Sequence, residues 1–217
     1  MSERGFSFIE LVVSMALMLA VTSSMFDFVH SARRVFEIDT ERADMQQRAR
    51  VSMDAVFRDL VMAGAGRPMP AFAPFRRGLI DPDAQGSSFP DRLSVVYAPP
   101  DAGGFVTITY ARRVDAAGVP HLTRYDGLAT ELPLVDQVAD LRFEYFDSAG
   151  QEIGLERLSD GPWRPSAAAV ERFDVDLEAI RRVRAIVRVT PVRTLFGFPL
   201  ADLEIRIDVS PRNLNLP

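Results

Sequence analysis

The chain has no cysteine, only two histidines and one tryptophan among its 217 residues. Without thiols it holds no disulfide, no thiolate nucleophile and no cysteine-based metal centre. Imidazole chemistry has only His30 and His121 to draw on. Both read as surface or interface residues, one at the end of an apolar segment and one in a strand-like stretch. Lysine is also absent, so all 25 basic residues are arginine, a bias that reflects genome base composition more than a binding task. The net charge of −5 argues against nucleic acid as the principal partner. No internal repeat is visible, and no Gly/Ser linker divides the chain.

Apolar residue is what the sequence has in quantity, at 47% of the chain. The largest block of it stands at the start, in the run from Phe6 to Val29, "FSFIELVVSMALMLAVTSSMFDFV", which Glu10 interrupts early. As a helix this run reaches ~36 Å at ~1.5 Å per residue, enough for a hydrocarbon core of about 30 Å. It is longer than the apolar region of a secretory signal peptide, and no clean small-residue cleavage site follows it. The segment is therefore expected to span a membrane and stay there. Intramembrane carboxylates are costly and usually functional, so Glu10 needs a reason.

The helical pattern continues beyond the apolar run. Val35, Ile38, Met45, Ala49, Met53, Val56, Leu60 and Ala63 recur at three- and four-residue steps. Charges lie opposite them, with Asp44/Arg48 and Asp54/Arg58 in the better orientation for helix ion pairs. No Pro or Gly occurs from Phe6 to Ala63, and "AGAGRPMP" then supplies a strong stop. The spacing predicts a rod of roughly 85 Å, apolar all round at first and amphipathic later, whose second half needs a partner surface.

Downstream, "RLSVVYA" (92–98), "FVTITYARR" (105–113), "PHLTRYD" (120–126), "VADLRFEYFD" (138–147), "RAIVRVTPVR" (184–193) and "ADLEIRIDVS" (201–210) read as strands between turn signals. Residues 101–104 and 147–150 have hairpin composition. The expected fold class is α+β, a long N-terminal α-helix packed on an antiparallel sheet of four to seven strands with one face buried under the helix. Residues 167–182 are compatible with either helix or strand, while 67–90 and "SDGPWRPS" read as irregular loops. The expected divisions are 1–5, a polar leader; 6–29, the membrane-spanning half-helix; 30–66, its amphipathic half; and 67–217, a β-rich head.

These residues carry a resemblance. "RGFSFIELVVSMALMLAV" resembles the N-terminus of the type IV pilin superfamily, in which a short polar leader ends in Gly and is followed by Phe, Ser or Thr, an apolar pair, Glu and Leu. The resemblance implies that prepilin peptidase cuts after Gly5, that Phe6 becomes the N-methylated N-terminus, and that Glu10 is the assembly glutamate. Glu3 offsets Arg4, so the leader is less basic than many. The absence of cysteine, the stretch "VADLRFEYFDSAGQE", the basic "RRVRAIVRVTP" and the closing "VSPRN" are similar to minor pilins of the PilW type and, as a close second, to J-type minor pseudopilins of type II secretion. A pilin-like fold is implied, with a place in a complex that primes filament growth and stays near the tip. The implied partners are other minor pilins and the major pilin through the N-terminal helix, a tip adhesin, prepilin peptidase, and the inner membrane before assembly. The implied location is the bacterial inner membrane, single-pass with the head outside the cytoplasm, followed by a surface pilus or periplasmic pseudopilus.

On that reading Glu10 lies one helical turn inside the bilayer surface and pairs with the Phe6 amine of a neighbour once helices pack into a filament core. Deleting one partner of a buried ion pair costs roughly 3–5 kcal/mol, so the pair sets register while apolar contact supplies affinity. Arg33 and Arg34, just past the apolar run, oppose this orientation, since arginine there favours the cytoplasmic side.

Two other classes remain open, a membrane-anchored binding module and a membrane-tethered enzyme. Asp81/Asp83 and Asp174/Asp176/Glu178 read as solvated carboxylates. "DPDAQGSSFPDR" starts like a calcium loop with Gly86 at its sixth position, but Arg92 stands where the bidentate Glu is required. Arg181, Arg182 and Arg184 read as charge on a sheet edge, which discourages edge-to-edge association. No catalytic constellation, metal site or cofactor is expected.

Overall fold

The computed structural model describes residues 7–66, 72–73, 91–98, 104, 106–126, 132–158, 179–192 and 200–214. The expected leader, Gly5 and Phe6 lie outside the described residues, as do the acidic groups at 81–83 and 174–178 and residues 159–166, which the sequence reads as a loop.

A single helix, α1 (Phe8–Met62), runs unbroken for 55 residues, ~82 Å at ~1.5 Å per residue. It starts after Ser7 and stops where the sequence predicts. Gly64 and Gly66 both have φ near +75°, a region L-residues seldom adopt. At Gly66 a side chain is also excluded by space, because a Cβ there would stand 2.5 Å from that of Ala98. The turn so made lets the Gly64 N–H donate to the Val96 carbonyl and the Ala98 N–H to the Ala65 carbonyl. Asn213 closes the helix end, its Nδ2 donating to the Ala63 carbonyl at 3.2 Å and reaching that of Val61.

Among the described residues nine strands follow: β1 (Phe72–Ala73), β2 (Arg92–Tyr97), β3 (Val106–Val114), β4 (Pro120–Tyr125), β5 (Leu132–Asp136), β6 (Val138–Phe146), β7 (Glu152–Ile153), β8 (Arg182–Val189) and β9 (Leu203–Val209). They form two antiparallel sheets, β1-β2-β3-β4-β5 and β7-β6-β8-β9. The α+β class with a long N-terminal helix on antiparallel strands is therefore observed, but the single sheet of the sequence reading is in fact two. The chain changes sheet at Gln137, a non-glycine residue with φ 57°. Two further turns share one design. Asp115 Oδ1 accepts the Ala117 and Val119 N–H groups, Asp147 Oδ1 accepts those of Ala149 and Gln151, and each contact is 2.8 Å. Both turns end in a glycine at positive φ, Gly118 and Gly150.

The core sits where the two sheets and the second half of α1 meet. Ala49, Met53, Val56 and Leu60 enter it from the helix, each larger side chain contributing about 1.5–3 kcal/mol by leaving water. Leu93, Ile108, Tyr110 and Leu122 enter from the first sheet, and Leu141, Phe143, Ala185 and Val187 from the second. Burial of only one sheet face holds for the second sheet alone. In the first sheet the opposite face is buried too, and its polar groups satisfy one another. Ser94 and Thr109 share a 2.9 Å hydrogen bond, and Thr123 Oγ1 donates to the Ala111 carbonyl.

The basic cluster is also placed differently from expectation. β8 lies between β6 and β9, so Arg182 and Arg184 are on an interior strand rather than an edge. Arg184 bridges Glu144 on one side and Asp208 on the other, and Arg182 lies over the Phe146 ring. The outer face of this sheet is a balanced charge lattice.

Candidate functional site

From Ser7 to Glu37 the helix is exposed on every side, and the head first touches it at Ile38. This half of the rod is both the most apolar and the least covered part of the molecule. It is long and apolar enough to cross a membrane. Its few polar side chains are suited to a medium without water. Ser14, Thr22 and Ser24 each return their hydroxyl to the carbonyl four residues earlier, at 2.7–2.9 Å, which removes the donor from the surroundings. Glu10 has no such cover. It lies in the first turn of α1, where the unpaired N–H groups of the helix end favour a negative charge. Among the described residues, no group in the chain reaches its carboxylate. Gly5 and Phe6 precede the described residues.

What the sequence reading missed is how the rod is fixed to the head. Two polar joints do this, and both use carboxylates that fall among the apolar positions on the side of the helix facing the head. At the lower joint Glu41, 8% exposed, accepts the Val192 N–H at 2.6 Å. Arg48 supports it from one side of the helix, reaching Glu41 at 3.6 Å and Asp44 at 2.9 Å while donating to the Thr190 carbonyl. Thr190 in turn donates its N–H to the Gln137 carbonyl at 2.9 Å, so the joint ties the helix to the residue at which the chain changes sheet. The i,i+4 pair Asp44/Arg48 is formed as its spacing predicts; Asp54 and Arg58 do not pair.

At the upper joint Asp59, 5% exposed, accepts the Tyr110 hydroxyl and the Arg124 Nε at 3.0 Å. The Tyr110 oxygen also lies 2.9 Å from the Ala55 carbonyl. Burial, and then the Asp59 charge, push the Tyr110 hydroxyl well above its ordinary range. Tyr97 is raised by the same causes. Burial opposes the charge of Arg124, yet its hydrogen bond and attraction to Asp59 outweigh that and hold the guanidinium above its usual value. The arrangement is an ion pair between a buried carboxylate and a half-buried guanidinium, with both the Tyr110 and the Arg124 hydrogen bonds arriving at Asp59 Oδ2. The sequence offered a faint signal for it. Asp59 falls three and four residues from Val56, Ala55 and Ala63, on the apolar side of the helix.

His30 is exposed on the rod, and His121 is half-buried on β4 with Nδ1 3.2 Å from the Val119 carbonyl. The two are not brought together. Among the described residues no group of three His, Asp or Glu side chains comes together as a metal site. The arrangement is an exposed apolar helix half continued by a half that polar contacts at Glu41 and Asp59 fix to the strands. The chain matches no protein-family model and no curated protein.

Proposed function

We propose that this chain is a filament subunit of the type IV pilin kind, a minor pilin of the PilW type that primes pilus assembly and is built in near the tip. One observation carries the reading: an apolar rod, bare from Ser7 to Glu37, bears one turn from its start a carboxylate that no described residue of the chain compensates. A plain anchor needs the rod but not the carboxylate. A subunit that must find its register among parallel helices needs both. In this reading cleavage after Gly5 frees the Phe6 amine, and Glu10 of one subunit meets the amine of the next. The two joints at Glu41 and Asp59 then convert the position of the rod into the position of the head. A J-type minor pseudopilin of type II secretion shares this plan, so the reading is of a filament subunit first and of a pilus second. The protein passes through the inner membrane with its head outside the cytoplasm before it is withdrawn into the filament.

The test is the mass of the mature chain expressed with and without prepilin peptidase. A chain that begins at N-methylated Phe6 only when the peptidase is present supports the reading. An intact Met1 chain, or one cut beyond Val29, overturns it. Within the filament reading, Glu10→Ala is expected to insert and fold normally but to lose incorporation by ~100-fold or more, as roughly 3–5 kcal/mol for an orphaned buried partner requires. Unchanged incorporation in that variant removes the charge-register mechanism.

A further inference from the structure

Above Val29 the rod does not at once become polar. Phe28, Val29, Ala32, Arg33, Phe36 and Glu37 line an open groove of about 300 Å³ on the bare helix surface. Phe28, Ala32 and Phe36 follow at four-residue steps, so two aromatic walls stand one turn either side of a small floor. Arg33 and Glu37 lie beside them, also one turn apart. In this spacing a base four residues before an acid is the poorer order for an intrahelical ion pair. The two make none here, although both are exposed.

Depth gives the groove a meaning. If the apolar run ends at Val29, the Arg33 backbone stands ~6 Å beyond the hydrocarbon and Glu37 ~12 Å beyond it, at ~1.5 Å per residue. Headgroups occupy roughly 5–7 Å on each side of a bilayer, the difference between a core of about 30 Å and a full thickness of about 40–45 Å. Side chains on a helix lean toward its N-terminus, which here is toward the lipid. The Arg33 guanidinium is thereby carried to phosphate depth, and the Glu37 carboxylate to the layer just outside it. Phe28 and Phe36 flank the level at which glycerol and upper acyl carbons lie.

We propose that this groove binds the headgroup of a phospholipid bearing a primary ammonium, with Arg33 on the phosphate and Glu37 on the ammonium. Charge complementarity selects this occupant. A groove with one cation and one anion, separated along the membrane normal with the cation inside, matches a phosphate–ammonium dipole and not a net anion. A quaternary ammonium has no N–H to give Glu37, and a glycerol headgroup has no cation for it. The proposal rests on the membrane-spanning part of the reading above and not on assembly. It explains what Arg33 does at a position where the flanking charge opposes the outward orientation of the head.

The test uses the full chain in vesicles of equal phosphatidylethanolamine, phosphatidylcholine and phosphatidylglycerol, released gently and weighed intact with its retained lipids. Phosphatidylethanolamine adducts are expected to exceed each of the others by roughly two- to five-fold, the ratio one exposed ion pair supports. Glu37→Gln is expected to erase the preference over phosphatidylcholine while keeping adducts. Arg33→Gln is expected to lower adducts of every kind, and Arg50→Gln, well above the membrane, to change nothing. Dominant phosphatidylglycerol adducts would make the region a simple basic patch and overturn the proposal. So would a preference that survives Glu37→Gln, or the absence of retained lipid. Glu10→Ala should leave the lipid ratio intact while abolishing incorporation, so failure of the headgroup site and failure of the filament reading are separable.

Discussion

The two halves of α1 are built from one continuous helix but are stabilised in opposite ways. From Ile38 onward the helix is a component of the head. Its apolar stripe is buried by two sheets, and its carboxylates Glu41 and Asp59 are paired inside the protein. From Ser7 to Glu37 it is exposed throughout, and among the described residues nothing pairs with its carboxylate Glu10. An isolated helix gains little from propensity alone, and most helical stability in proteins comes from packing of a face. On the function proposed above, the first half takes its packing from outside the chain, from lipid or from other helices. The same side chain type is a structural part in one half and an unspent contact in the other.

If that division is real, cutting the rod at the boundary separates the halves cleanly. A chain beginning at Val35 is expected to be soluble without detergent and monomeric, and to unfold within about 4 °C of the detergent-solubilised full protein, roughly 1 kcal/mol for a domain of this size. The full chain should precipitate without detergent or lipid. A truncated head that fails to fold would show that the exposed half contributes to the fold after all.

The next largest effect sits in the upper joint. Asp59→Ala leaves the half-buried Arg124 guanidinium without this acceptor and the Tyr110 hydroxyl with the Ala55 carbonyl alone, and a loss of ~1–3 kcal/mol in urea unfolding of the truncated head is expected. Glu10→Ala, also a carboxylate deletion on the same helix, should leave the unfolding of the head unchanged. Equal effects from the two would erase the contrast between the halves.

This contrast also marks how far the sequence could be read. The rod was legible because its pattern is local: apolar spacing, no Gly or Pro, and then Gly64 and Gly66. Six strands were legible for the same reason, each alternating or β-branched between turns. β5 was not, because Pro133 and Pro-adjacent residues interrupt a short run that only pairing with β4 makes a strand. β1 and β7 have two residues each and no pattern to detect. Division into two sheets depends on pairings such as β6 with β8, across a gap of more than thirty residues, which alternation does not encode. Of the candidate site, Glu10 stood out as a charge in an apolar run. Glu41 and Asp59 did not, since charges in an amphipathic stretch normally face water and only their distant partners, Val192, Tyr110 and Arg124, distinguish them.

The lack of lysine makes the head's alkaline behaviour unusually informative. Between about pH 9 and 12 tyrosine is the side-chain type that ordinarily titrates in this composition, since lysine and cysteine are absent and arginine keeps its charge. Burial raises Tyr145, and Tyr110 and Tyr97 are raised by burial and by Asp59. Below pH ~10 both folded and unfolded chains keep these protons, and stability does not depend on them. Above it the unfolded chain releases protons that the fold retains, so stability should fall by up to ~1.4 kcal/mol per pH unit for each raised tyrosine. Tyr145→Phe removes one of these groups, and with it a buried hydroxyl that has no partner. The variant should show a shallower alkaline loss and, at neutral pH, stability equal to or slightly above that of the parent. A clear loss of stability at neutral pH would mean that the Tyr145 hydroxyl is bonded in solution.

The smallest expected effect tests the point where the lower joint meets the change of sheet. Gln137 holds φ 57° while its carbonyl accepts the Thr190 N–H at 2.9 Å, and the next carbonyl, that of Val138, accepts Arg112 Nε at 3.0 Å. A left-handed residue costs roughly 1–2 kcal/mol relative to a right-handed one, and more for a β-branched side chain. Gln137→Val should therefore destabilise the head by about 1–2 kcal/mol. Gln137→Gly should be near neutral, because relief of the backbone offsets the greater freedom of glycine in the unfolded chain. Both variants leave the bare half of the rod untouched, so in full-length protein neither should alter membrane insertion. If Gln137→Val changed incorporation into filaments without changing insertion, the lower joint would be the element that passes the position of the rod to the head, and the two halves would be coupled through the backbone turn at residue 137.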